Sequence, residues 1–90
     1  METITEKAKR IIADTLGVEI SDVTLSADLQ KDLGADSLDV VQLITVLEKE
    51  FKISIPDEQI DRMKEVRHLI DYVSKVKPLP IETFYSLAAA

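Results

Sequence analysis

The run Asp32-Leu33-Gly34-Ala35-Asp36-Ser37-Leu38-Asp39 holds the residues best placed to do chemistry. A loop rich in turn formers hands over there to an apolar helical stripe. Asp36 is positioned to cap the helix, which leaves Ser37 in its first turn. A hydroxyl in the first turn lies beside unpaired amide groups and the positive end of the helix dipole, a setting that favours an attached or bound phosphate. The local physics therefore points to phosphoester chemistry on Ser37. The plainer alternative is an Asp-Ser pair that only caps, and the residues alone leave both open.

Other chemistries fit less well. A serine hydrolase needs a base and an orienting group, yet Leu38 and Asp39 follow Ser37 where a nucleophile elbow needs glycine at the second position. His68, the only imidazole, sits between Arg67 and Leu69 and reads as a solvated surface histidine. Asp28, Gln30, Asp32, Gly34, Asp36 and Asp39 fall at EF-hand positions 1, 3, 5, 7, 9 and 12. Leu33 stands where that turn demands glycine, and Asp39 where a bidentate Glu is expected, so at most weak cation binding follows. Asp57, Glu58 and Asp61 read as acids at a helix start rather than as an acid–base pair.

Four helices must position these residues. Ile4, Ala8, Ile11, Ile12 and Leu16 share helical spacing over about 4–16, with a Thr3/Glu6 capping pattern and Gly17 as the stop. Residues 18–36 carry no sustained stripe, although Val18, Ile20, Val23, Leu25, Leu29 and Leu33 recur. They read as a long loop pinned over the core by its own apolar residues, with short helical turns near Ser21 and Leu29. A second helix starts at Asp36 or Ser37 and reaches about Glu50, with a stripe wider than one face needs. Pro56 permits a short helix over about 57–62, and a last helix covers about 66–76 before Pro78 and Pro80. Lys52-Ile53-Ser54-Ile55 alternates but is too short and isolated for a sheet. The expected fold is all-α, a small four-helix bundle with one short helix, over a single domain of residues 1–77. Residues 78–90 form a tail of different composition, expected to be flexible or a cloning remnant.

Ninety residues are too few for most folds that must enclose a substrate, which argues against a self-sufficient enzyme. With 17 Asp and Glu against 11 Lys and Arg, the net charge of −6 repels phosphate backbones and anionic membranes, so neither nucleic acid nor membrane insertion is expected. Without cysteine the chain has no thiol of its own, and without an apolar run of about 20 residues no bilayer span. A cytoplasmic monomer is expected. Its core must be aliphatic, because aromatics make up only 4%.

Gly34-Ala35-Asp36-Ser37-Leu38, the helix from Asp39 to Phe51 and then Ile55-Pro56-Asp57-Glu58 closely resemble the acyl carrier proteins of dissociated (type II) bacterial fatty acid synthesis. The resemblance extends over about residues 3–77, through Gly17-Val18, Asp28-Leu29, Asp32-Leu33-Gly34 and Ile70-Asp71-Tyr72-Val73. Peptidyl carriers look different, usually with His-Ser-Leu at the same place. The resemblance implies that Ser37 accepts 4′-phosphopantetheine from coenzyme A through a magnesium-dependent carrier protein synthase, and that acyl chains ride on the arm as thioesters. It implies a bundle whose core opens for the acyl chain, with Leu43, Leu47, Phe51, Ile60, Met63 and Leu69 as candidate pocket residues that also serve as core. It implies docking through Asp36, Leu38, Asp39, Val41, Gln42, Glu48, Asp57 and Glu58. The implied partners are malonyl transacylase, ketoacyl synthases, ketoacyl and enoyl reductases, dehydratase and acyltransferases.

Residues 36–65 hold eight acids against four bases, a net of −4 suited to a basic partner. Gln42, Thr45 and Lys49 depart from the usual pattern of Glu, exposed Met and an unbroken acidic run. A specialised carrier for a polyketide or other dedicated pathway is one alternative. An unmodified acidic interaction module is the other.

Overall fold

The computed structural model describes residues 2–76, and the 78–90 tail lies outside them. Four helices follow in order: α1 (Ile4–Leu16), α2 (Ser37–Phe51), α3 (Asp57–Ile60) and α4 (Val66–Lys75), with a 3-10 turn at Ile20–Asp22. The fold is all-α. One isolated bridge, Asp28 to Glu65, is the extent of β pairing among the described residues.

Local signals set the ends of α1. Thr3 Oγ1 accepts from Glu6 N at 3.1 Å, and Gly17 closes the helix in the left-handed region at φ 69°. The amides of Gly17 and Val18 both donate to Ala13 O, the latter at 3.1 Å, which gives the Val18 amide a partner just past the helix end. Ala8, Ile11 and Ile12 are buried, and through them α1 packs against both α2 and α4. Lys7 braces the far end of α2, with Nζ 5.2 Å from the Phe51 ring centre and 3.7 Å from the Glu50 carboxylate.

A single core joins Leu43, Ile44 and Leu47 of α2 to Val66, Leu69, Ile70 and Val73 of α4. The loop 18–36 adds Val23, Ala27, Leu29, Leu33 and Ala35 to it, so the segment is held by its own apolar residues. Truncating a fully buried leucine such as Leu47 is expected to cost about 2–5 kcal/mol, a large share of what a small domain has.

Not every apolar loop residue turns inward: Ile20 is 54% exposed and Leu25 48%. Leu25 serves through its backbone instead. Its carbonyl accepts from Arg67 N at 2.9 Å, Ala27 O accepts from Val66 N at 3.0 Å, and Leu29 N donates to Lys64 O at 2.9 Å. Three backbone bonds thus stitch 25–29 to 64–67. Two of them also satisfy the Val66 and Arg67 amides in the first turn of α4, which have no partner within the helix.

The α2–α3 connection is anchored in a similar way. Ile53 and Ile55 are buried on either side of exposed Ser54. Ile55 N donates to Glu48 Oε2 at 2.8 Å, and Tyr72 donates its hydroxyl hydrogen to Ser54 O at 3.3 Å. α3 is a single turn ending at Ile60, shorter than the 57–62 expected, because the chain passes into turns at Asp61 and Arg62.

Gly17 has open space around the position of an added Cβ, so Gly17→Ala tests the backbone conformation alone. The expected loss is about 1–2 kcal/mol. In thermal unfolding that corresponds to a fall of roughly 4–8 °C per kcal/mol for a domain of this size.

Candidate functional site

The approach to Ser37 is built from one turn after another. Asp28 Oδ1 accepts from Gln30 N at 2.9 Å and from Lys31 N at 2.8 Å, while Asp32 Oδ2 accepts from Asp28 N at 2.7 Å. These two carboxylates act on backbone, as turn-forming aspartates do. Gly34 N donates to Gln30 O at 3.1 Å and Ala35 N to Leu29 O at 2.9 Å, with Gly34 at φ 73° to make the reversal. Buried Ala35 then delivers the chain to Asp36.

Asp36 and Asp39 form a reciprocal cap. Asp36 Oδ1 accepts from Asp39 N at 2.8 Å, and Asp39 Oδ2 accepts from Asp36 N at 3.1 Å. The backbone on both sides of Ser37 is held by this pair, and Ser37 is the first residue of α2 and exposed. Among the described residues its hydroxyl makes no side-chain hydrogen bond. It is therefore presented, not spent on capping.

Beside Ser37 opens a groove of about 400 Å³. α2 contributes Val40 and Val41, the α3 side Ile60 and Met63, and the loop Leu29; Asp28, Gln30, Lys31, Asp61 and Lys64 complete its rim. An apolar floor under a polar rim suits a ligand with an apolar body and a polar tether. Of the six candidate pocket residues, Ile60 and Met63 line this groove. Leu43, Leu47 and Leu69 are fully buried behind it, and Phe51 is half-buried at the far end of α2, under Lys7.

The candidate docking residues separate by what their side chains do. Leu38 is 78% exposed and Val41 56%, an apolar pair on the outer face of α2 just after Ser37. Gln42, Asp57 and Glu58 are also exposed. Asp36 and Asp39 hold the cap, and Glu48 holds Ile55 N through its carboxylate.

His68 is exposed, as its charged neighbours imply, yet it has a structural task. Its Nδ1 accepts from Lys64 N at 3.2 Å and Glu65 N at 3.1 Å. The signal lay in the spacing from Glu65 to His68, which is that of a capping box with imidazole as acceptor. The lysines of the groove rim, Lys31 and Lys64, carried no local signal at all. The EF-hand spacing finds no support in the geometry: its aspartates bond backbone, and no group of three potential metal-ligating side chains forms among the described residues. No helix of the described residues is long and apolar enough to cross a membrane.

A family model described as "Phosphopantetheine attachment site" matches residues 6–73. The chain belongs to this family of carrier domains. Such domains are not catalysts. They bear a 4′-phosphopantetheine prosthetic group, receive it from a phosphopantetheinyl transferase, and work with acyl-handling enzymes. The residues present fit that group: an exposed hydroxyl at a helix start, beside a groove with an apolar floor and a polar rim.

Asp36→Ala removes one half of the reciprocal cap and is expected to lower stability by about 1 kcal/mol in urea unfolding. The Asp28 carboxyl is held below its ordinary range chiefly by the Lys31 amide, then by the Gln30 amide and the positive charges of Lys31 and Lys64. A group depressed in the folded state contributes stability above its unfolded pKa of about 3.9, and loses it as pH falls through the folded value. The stability advantage of the wild type over Asp28→Asn should thus be full at about pH 6 and close progressively below about pH 4 in pH-dependent urea titrations.

Proposed function

We propose that this chain carries fatty acyl groups for biosynthesis, with its prosthetic arm on Ser37. The observation that supports this best is Ser37 itself: exposed at the start of α2, framed by the Asp36/Asp39 cap, and at the mouth of the groove. The arm supplies a thiol on which acyl cargo is held as a thioester, chemistry that a chain without cysteine lacks. The protein's own part is positional. The reciprocal cap fixes the serine backbone, and the amino end of α2 favours the negative phosphate next to it. Leu29, Val40, Ile60 and Met63 offer apolar shelter within reach of the same mouth.

Recognition by other enzymes is assigned to the outer face of α2 and the start of α3. Leu38 and Val41 provide apolar contact, and exposed Gln42, Asp57 and Glu58 provide polar and acidic contact. Acids at such a rim speed encounter and select basic partners more than they add affinity. The expected partners are a carrier protein synthase, malonyl transacylase, ketoacyl synthases, the two reductases, dehydratase and acyltransferases. Gln42, Thr45 and Lys49 reduce the acidic and apolar character of that face, which favours a carrier dedicated to one acyl pathway as the second reading.

Incubation with coenzyme A, magnesium and a phosphopantetheinyl transferase should add the mass of one phosphopantetheine to the wild type and none to Ser37→Ala. Addition that survives the substitution would remove Ser37 from this role. Gln42→Glu should raise affinity for a ketoacyl synthase about two- to fivefold at low salt, with the gain shrinking as salt rises. Unchanged affinity would place residue 42 outside the interface.

A further inference from the structure

His68 and Ser37 border two different depressions that meet at Met63. Met63 lines both the groove beside Ser37 and a shallower depression that contains His68. Between them runs a chain of bonds. His68 Nδ1 accepts from the amides of Lys64 and Glu65 at 3.2 and 3.1 Å. The carbonyl of that same Lys64 accepts from Leu29 N at 2.9 Å and Ala27 O accepts from Val66 N at 3.0 Å, two bonds that set Glu65 opposite Asp28. Asp28, Leu29 and Lys64 all belong to the groove.

We propose that His68 is the positioning residue for this wall of the groove, and that a proton taken up from solvent at Nδ1 releases it. Two donated amide hydrogens require a lone pair on Nδ1, so the ring must carry its hydrogen on Nε2. Protonation replaces that acceptor with a donor facing two donors. It also places a positive charge in the first turn of α4, where the helix dipole opposes it.

The surroundings do little to offset this. On α4 and just before it, Glu65 is paired with Arg67 at 2.8 Å and Asp71 with Lys75 at 3.3 Å, so the two nearby carboxylates already have cations. Arg62, Tyr72 and Lys75 share the depression with His68, and Lys64 precedes it. From the loop the charged group packed on this segment is Asp28, whose carboxylate is engaged with the amides of Gln30 and Lys31. Imidazole is the side chain that ordinarily changes charge between pH 5 and 8, and this chain has one. The 64–65 segment is thereby tied to solvent pH, and with it the 25–29 stitching.

The meaning of this wall for an acyl group in the groove rests on the carrier reading, but the test does not. In the full chain without its arm, amide exchange of Leu29, Lys64, Glu65 and Val66 is measured by NMR at pH 7.5 and 5.5, each rate divided by its intrinsic value. The imidazole nitrogens are observed alongside. The expected result is an Nε2–H tautomer at the higher pH and a loss of protection of roughly three- to tenfold at the lower. His68→Asn offers an amide oxygen at the place of Nδ1 without a titrating proton, and should keep its protection at both pH values. His68→Ala should show the lowered protection at both. An Nδ1–H tautomer, or an equal pH response in wild type and His68→Asn, would overturn the proposal. That comparison decides the matter even if His68→Ala does not fold.

Discussion

The hydrogen bonds between residues 25–29 and 64–67 are the constraint on which the rest of this structure depends. A long segment between α1 and α2 must bury Val23, Ala27, Leu29 and Leu33 without leaving its peptide groups unpaired, since each orphaned group would cost about 1–3 kcal/mol. α4 has the complementary difficulty, because its first amides have no partner inside the helix. Joining the two solves both. The stitching leaves the chain at Leu29, from which the Asp28 turn, Gly34 and Ala35 carry it to Asp36.

On this frame the side chains divide the labour. Asp36 and Asp39 are drawn into holding backbone, which frees the hydroxyl between them. Glu48 is drawn into holding Ile55, which sets where the polypeptide leaves α2 and hence where Ile60 and Met63 lie opposite Val40 and Val41. Leu38 and Val41 form an outward apolar pair on α2, exposed at 78% and 56%. A net −4 of the chain's −6 falls within residues 36–65, so the net acidity is concentrated in the third of the chain that begins beside the serine.

Much of this was legible in the sequence where the signal is local. Thr3 with Glu6, Gly17 and the cap residue Asp36 mark helix ends through bonds spanning three residues or through one backbone angle, although Asp39 as the reciprocal partner of Asp36 was not read, and α1 runs over the 4–16 read from its stripe. The position of Ser37 in the first turn follows for the same reason. Long-range choices were not legible. Leu25 and Leu29 look alike as apolar loop residues, yet one contributes a carbonyl and the other a buried side chain, because their partners lie some forty residues away. Core and groove could not be told apart either: Leu47 and Met63 are both apolar and buried, and only Met63 lines the groove. His68 reads as solvated and is exposed, but its lone pair is committed to two amides. Lys52 ends α2 at φ 56° without the glycine or asparagine that would announce it.

The most direct test of Ser37 as the carrier site is fragmentation mass spectrometry of the protein isolated from its own host, with the prosthetic group traced to a single peptide. Phosphopantetheine on the peptide that holds Ser37, with or without an acyl load, is the predicted result. An unmodified Ser37 peptide, with the group instead on Ser21, Ser26 or Ser54, would contradict it.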